Sequence, residues 1–287
     1  MNRILATLSL AAFAITAPAQ TSDLLDVFEA KVKPEKRADF DAIARKVAEA
    51  NRKAKGDNWI TVQNEYGEGN TVYFISTRQN HAAIEQGFKA FMGAINEAYG
   101  PGGARKFEQD FNTTVSSTRA ELRRRRWDLS ANVPSEPAGL AKLIGEGRWL
   151  RTTMVRVRQG HQSDFEEAAK AAKAAFEKGS PSWTVLVSQT IAGAPGVNYY
   201  LTSVQPTLAA FDTAPSLSKL MGDEDFAKWQ KGNAEHILVT ETRYMRFLPE
   251  LSNAIDEIAK VSPEFWRPKM AAARAKSKPA ESAKPAP

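Results

Sequence analysis

Apolar and polar positions follow the same order twice along this chain. VFEAKVKPEKRADFDAIARKVAEA opens on a strand-like alternation, passes through a turn, and continues as a helix with Phe40, Ile43, Ala44 and Val47 on one face. TMVRVRQGHQSDFEEAAKAAKAAF repeats that course, with Phe165, Ala168, Ala169, Ala172 and Phe176 as the apolar stripe. Spacings of three and four residues predict amphipathic helices, and the preceding period of two predicts half-buried strands. Asp164 and Glu166 stand near the start of the second helix, where negative charge suits the dipole.

The parallel continues downstream. DNWITVQNEY is matched by SPSWTVLVSQTI, and after a Gly-containing turn TVYFIST is matched by VNYYLTS. Each pair of β-branched and aromatic runs reads as a hairpin. A second helix follows, carrying Ile84, Phe88, Phe91, Met92, Ile95 and Tyr99 in the first copy and a more broken pattern over 208–229 in the second. TTVSSTRAEL and HILVTETRYMRFL close the copies as last strands. This alignment lays Phe40 on Phe165, Trp59 on Trp183, Tyr73 on Tyr199, and Thr118-Arg119 on Thr242-Arg243.

Each copy thus reads β-α-β-β-α-β, the ferredoxin-like order. One such unit covers a single face of its sheet with helices. Two units placed together bury the bare faces, as identical chains do in a two-fold dimer. The expected fold is α+β: two tandem ferredoxin-like units packed sheet to sheet as an intrachain pseudo-dimeric barrel. The expected organisation is a signal peptide at 1–19, repeat 1 at 20–128, a linker at 129–148 with two Pro and three Gly, repeat 2 at 149–250, a C-terminal helix or extension at 251–267, and a disordered tail at 268–287.

The junctions KPEKRADF and QGHQSDF, each a turn just before a helical Phe, resemble the dimeric α/β-barrel superfamily, especially its antibiotic-biosynthesis-monooxygenase-like branch. The second copy keeps Gly160 and Phe165; the first has Pro34-Glu35-Lys36 and Phe40. The resemblance spans nearly all of 24–250 and implies a barrel fold. It does not single out an activity, because that superfamily includes oxygenases, isomerases, haem enzymes and proteins of no known activity.

Composition sharpens localisation and partners. Arg3, a short apolar stretch and Ala17-Pro18-Ala19 form a secretory signal pattern, so a periplasmic or secreted protein is expected. The formal net charge is +6. From Arg267 onward six Lys/Arg face only Glu281, and Arg3 lies in the leader, which leaves the body between them neutral. A neutral body argues against nucleic acid as a partner. The basic tail could touch an anionic envelope surface. No apolar run after the leader is long enough to span a bilayer.

Chemistry is sparsely marked. There is no Cys, which excludes thiolate nucleophiles, and no Walker, GxGxxG, HExxH or GxSxG motif occurs. His81 and His161 read as exposed or capping residues. His236 opens the last strand of the second copy and faces Asn112 in the first. The resemblance makes it the natural axial ligand in a haem-binding reading, but no cofactor and no metal site is expected. Trp59, Trp183, Tyr73 and Tyr199 are core or cavity-lining aromatics. Arg119 and Arg243 are mid-strand cations that need partners if buried, and Glu241 lies two residues from Arg243. The run Arg123–Trp127 reads as solvated or paired across the lobes rather than as an anion site. A ligand pocket, if present, is expected within the second lobe or at the barrel mouth, with His236, Glu241, Arg243 and Tyr199 against Trp183 and with Trp59, Tyr73 and Arg119 as first-copy counterparts. Three functions follow: a small-molecule-binding protein, including a cofactor-free oxygenase; a non-catalytic envelope protein; or a haem enzyme.

Overall fold

A computed structural model describes residues 24–180 and 182–268. The signal peptide expected at 1–19 and the tail beyond Pro268 lie outside the described residues. The elements run β1 (Leu24–Val32), α1 (Arg37–Ala54), β2 (Ile60–Tyr66), β3 (Thr71–Arg78), α2 (His81–Tyr99), α3 (Gly103–Thr114) and β4 (Val115–Arg125). After α4 (Pro137–Glu146) come β5 (Trp149–Val157), α5 (Gln162–Gly179), β6 (Leu186–Ala192), β7 (Val197–Gln205), α6 (Leu217–Met221), α7 (Asp223–His236) and β8 (Ile237–Phe247). Two single-turn helices, α8 (Asp256–Ala259) and α9 (Pro263–Trp266), end the described chain.

The eight strands close into one barrel in the order β1-β3-β2-β8-β5-β7-β6-β4, and every neighbouring pair is antiparallel. Each half contributes four consecutive places, β4-β1-β3-β2 and β8-β5-β7-β6. The halves join by hydrogen bonds along β2–β8 and β4–β6, so no sheet edge in the barrel is left unpaired. The bare inner faces of the two half-sheets meet across the lumen.

β3 and β7 bury consecutive residues on both faces, which explains the apolar runs TVYFIST and VNYYLTS, whereas much of β4 and β8 is exposed. On the outer face of the first half, Ala30, Val32, Val72 and Val115 pack with Phe40 and Ala44 of α1. On that of the second, Val155, Val157, Val187 and Tyr199 pack with Phe165 of α5. Inner positions face the lumen instead.

Strand register corrects the residue alignment read from sequence. Val32 pairs with Val115 in the first half, and Val157 pairs with Ile237 in the second. Counting from these junctions, Arg119 falls on Glu241 and Glu121 on Arg243. The shared Thr-Arg dipeptide had set the alignment two residues off. Glu29 pairs with Tyr73 and Met154 with Tyr200, so the counterpart of Tyr73 is Tyr200 rather than Tyr199. Likewise Thr114, rather than Asn112, occupies the place of His236.

Two further differences concern elements. The second helical region of the first half is two helices, α2 and α3, broken where Gly100 and Gly102 take φ of 75° and 76°. The 129–148 segment is not a bare linker, since α4 occupies half of it. Pro137 at its first turn suits a helix start. Leu140, Ala141 and Ile144 of α4 lie on one end of the barrel beside Ile258 and Val261. The C-terminal extension docks there too: Trp266 is fully buried, its Nε1 donates to the Gly145 carbonyl at 2.9 Å, and its ring lies 5.4 Å from Phe247.

Candidate functional site

The lumen is a cavity of about 730 Å³, within the range of small-molecule sites. All eight strands line it, and α4 with the 255–261 segment covers one end. The wall is mostly apolar, from Leu25, Val27, Ile60 and Ile75 to Leu150, Met154, Val204 and Met245. Hydroxyls enter it from Tyr73, Tyr200, Thr152, Thr202 and Ser188, and cations from Arg123, Arg125 and Arg243. A second, more open hollow of about 420 Å³ lies beside Trp127, Pro134 and Lys173.

Two charged clusters cross the barrel seams. In one, Arg243 donates through Nε and Nη2 to both carboxylate oxygens of Glu241, at 2.7 and 2.8 Å, and through Nη1 to the Tyr73 hydroxyl at 2.7 Å. Tyr73 belongs to the first half and Arg243 to the second; pairing of β2 with β8 brings them together. In the other, Glu121 accepts from Arg123 Nε at 2.9 Å and from the Tyr200 hydroxyl at 2.8 Å, and pairs with Arg119 Nη2 at 2.7 Å. The Arg123 guanidinium also lies 3.5 Å from the centroid of the Tyr200 ring. The two clusters are related by the register above, with acid and base exchanged between strand positions.

Electrostatics follows from burial and pairing. Desolvation raises the Tyr73 hydroxyl well above its ordinary value despite the Arg243 charge beside it. Desolvation also raises Tyr200. The hydrogen bonds from Arg243 lower Glu241, and those to Glu241 raise Arg243. Both tyrosines therefore stay protonated hydroxyls and the Arg243–Glu241 pair stays charged. The arrangement can hydrogen-bond and orient an oxygen-bearing ligand within a mostly apolar wall.

The structure places the expected site residues in three groups. Tyr73 and Arg243 line the lumen, with Glu241 bound to Arg243. Arg119 reaches the second cluster through Glu121 and also donates to the Gly193 carbonyl at 3.0 Å. Tyr199, Trp59, Trp183 and His236 are not among the lumen-lining residues. Tyr199 faces the helices, with its ring 4.7 Å from Phe165. Trp59 packs on Phe91 and donates to the Leu251 carbonyl at 2.8 Å; Trp183 packs on Phe211. The expectation of a pocket inside the second lobe is corrected: the cavity is shared by both halves. Sequence reasoning missed Glu121, Thr152, Thr202 and Ser188 as members of the site. Period-two alternation from Tyr200 to Thr202 and from Arg119 through Glu121 to Arg123 was the available signal, once the register was right.

A haem held in the lumen would need an axial donor there. The described lining residues include no His, and His236 lies outside the lumen against His161. The two lining tyrosines are held as hydroxyls. The donor set of the lumen does not fit haem.

No protein-family model matches this sequence, and no curated protein matches it. Solved structures do. An anthrone oxidase-like protein superposes with a TM-score of 0.52 at 11% identity, over 81% of this chain and 94% of that one. A candidate monooxygenase from Fusobacterium nucleatum gives 0.49 at 10% identity, over 80% and 94%. A haem-binding protein from Thermus thermophilus gives 0.44 at 10%, over 80% and 93%. At these identities the likeness concerns the fold alone. The shared fold is an α+β closed barrel of eight antiparallel strands.

Proposed function

We propose that the chain is two fused ferredoxin-like units whose common lumen binds a small molecule with an apolar body and an oxygen-bearing polar end. The observation that carries this reading is the cavity of about 730 Å³, apolar over most of its wall and met at two points by Arg–Glu–Tyr clusters. The order β4-β1-β3-β2 in one half and β8-β5-β7-β6 in the other supports the fused-unit reading. The activity that accords with this lumen is cofactor-free oxidation of a bound aromatic: Tyr73 and Tyr200 orient the polar end, the arginines favour an oxygen anion on it, and the wall keeps water away. The leader pattern at 1–19 supports export to the periplasm or medium, with the basic tail available to an anionic surface.

A thermal-shift screen of hydroxyaromatic carboxylates tests the lumen. Wild type is expected to be stabilised by members of the set, and Thr202→Trp, which fills the cavity, is expected to lose that response while remaining folded by circular dichroism. Arg243→Ala is expected to weaken it as well. Failure of every compound to stabilise the wild type, or an undiminished response in Thr202→Trp, would sink the proposal. Oxygen uptake with a stabilising compound then separates an oxygenase from a binding protein.

A further inference from the structure

A compact cluster of metal-ligating side chains lies outside the lumen. His161 sits in the turn before α5, Asp164 in the first turn of that helix, and His236 at the end of α7. Pairing of Val157 with Ile237 brings the end of β5 to the start of β8, and the Arg158 amide donates to the His236 carbonyl at 2.8 Å. The two imidazoles then face each other, Nδ1 to Nδ1, at 3.1 Å. Asp164 Oδ2 lies 3.3 Å from His161 Nδ1 and 3.9 Å from His236 Nδ1.

A tetrahedral zinc ion with bonds of about 2.0–2.1 Å holds its donors about 3.3 Å apart. The three separations bracket that value, and each residue offers one donor atom, all within 4.8 Å of one another. Without an ion, two imidazole nitrogens this close can share only one proton between them. The first half provides an internal comparison. By the same register its equivalents are Lys36, Asp39 and Thr114, and there the Lys33 amide donates to the Thr114 carbonyl at 2.9 Å. Lys36 pairs with Asp39 at 3.1 Å, so an ordinary ion pair fills the place that two imidazoles and a carboxylate fill in the second half. The carboxylate is common to both halves; what differs is that both other positions have become histidine.

We propose that His161 Nδ1, His236 Nδ1 and Asp164 Oδ2 bind a divalent transition-metal ion of the zinc, nickel or copper class, which imidazole and carboxylate donors suit. The C-terminal end of α7 favours a cation there, and the Asp164 charge offsets the opposing N-terminus of α5. His236 is largely buried, whereas His161 and Asp164 are about half exposed, so an ion can reach the site from solvent and keep water as a further ligand. The site stands apart from the lumen and does not depend on what the lumen binds.

The test is titration of the full chain, free of any polyhistidine tag, with Zn²⁺ by calorimetry and with Co²⁺ by visible absorption. One ion per chain is expected, with ligand-field bands for Co²⁺. His161→Ala, which changes a half-exposed turn residue and should leave the fold intact, is expected to weaken binding by about tenfold or more and to abolish the bands. His236→Ala and Asp164→Asn are expected to do the same, and Lys36→Ala, at the equivalent place in the other half, is expected to change neither readout. Absence of saturable binding in the wild type, or equal binding by wild type and His161→Ala, would overturn the proposal.

Discussion

Glu166 accepts from Arg126 Nη1 at 2.5 Å, from the Tyr199 hydroxyl at 2.5 Å and from Gln162 Nε2 at 3.1 Å. Arg126, just beyond β4, is held in addition by Asp128 and Gln189, so this member of the arginine run ties the first half to α5 of the second. The Arg126 guanidinium is the main cause that lowers the Glu166 carboxyl from its ordinary 4.5 to about 2. A folded-state value below the unfolded one means stability that is fully present above pH 4.5 and is lost as pH falls toward 2. Glu166→Gln is therefore expected to lower the melting temperature at neutral pH and to flatten its decline over that acid window. Melting curves of both proteins between pH 2 and pH 7 check this; parallel curves would show that Glu166 carries none of the acid sensitivity.

Among the elements, α4 and the C-terminal turns close one end of the barrel, and Trp266 joins them. Its ring is fully buried against Phe247 and its Nε1 has the Gly145 carbonyl as acceptor. Trp266→Ala is expected to cost about 3–5 kcal/mol in denaturant unfolding, the usual result of emptying a large buried aromatic site. A cost below about 1 kcal/mol would mean that the extension is only loosely seated. The β4–β6 seam has its own sensitive point. Gly193 has φ of 87°, and a Cβ there would collide with the Ala120 carbonyl oxygen. Gly193→Ala is expected to speed hydrogen exchange along 120–125 and 188–192 before it affects the β2–β8 seam; unchanged exchange at the β4–β6 seam would show that the turn relaxes freely.

For the molecule as a whole, stability rests on closure. Residues 24–128 alone would expose the edges of β2 and β4 that β8 and β6 cover in the intact chain. Unpaired edges of this kind recruit other strands. The isolated half is therefore expected to elute as a dimer or larger species in size-exclusion chromatography, and a stable monomer would count against closure as the main source of order. Removing residues 269–287 is expected to leave the melting temperature nearly unchanged while lowering the isoelectric point, since that segment is Ala-, Pro- and Lys-rich with almost nothing apolar to bury. A large fall in melting temperature would mean that the tail docks on the body.

The eight strands and the stripes of Phe40 and Phe165 by which α1 and α5 pack on them were legible in the chain, because periods of two and near four residues are local consequences of backbone geometry. Which residues share a site was not. Tyr73 and Arg243 stand 170 residues apart and meet only because β2 and β8 pair across a seam. Glu121 and Tyr200 meet through β4, β6 and β7. His161 and His236 read singly as a turn residue and a strand opener, and become one cluster only where β5 and β8 run side by side. Register decided the rest: a slip of one residue turns every side chain to the opposite face, and Tyr199 and Tyr200 are neighbours that differ in just that way. Local pattern sets each strand's two faces, but only the hydrogen-bonded closure of the barrel determines which face is inside and what stands opposite.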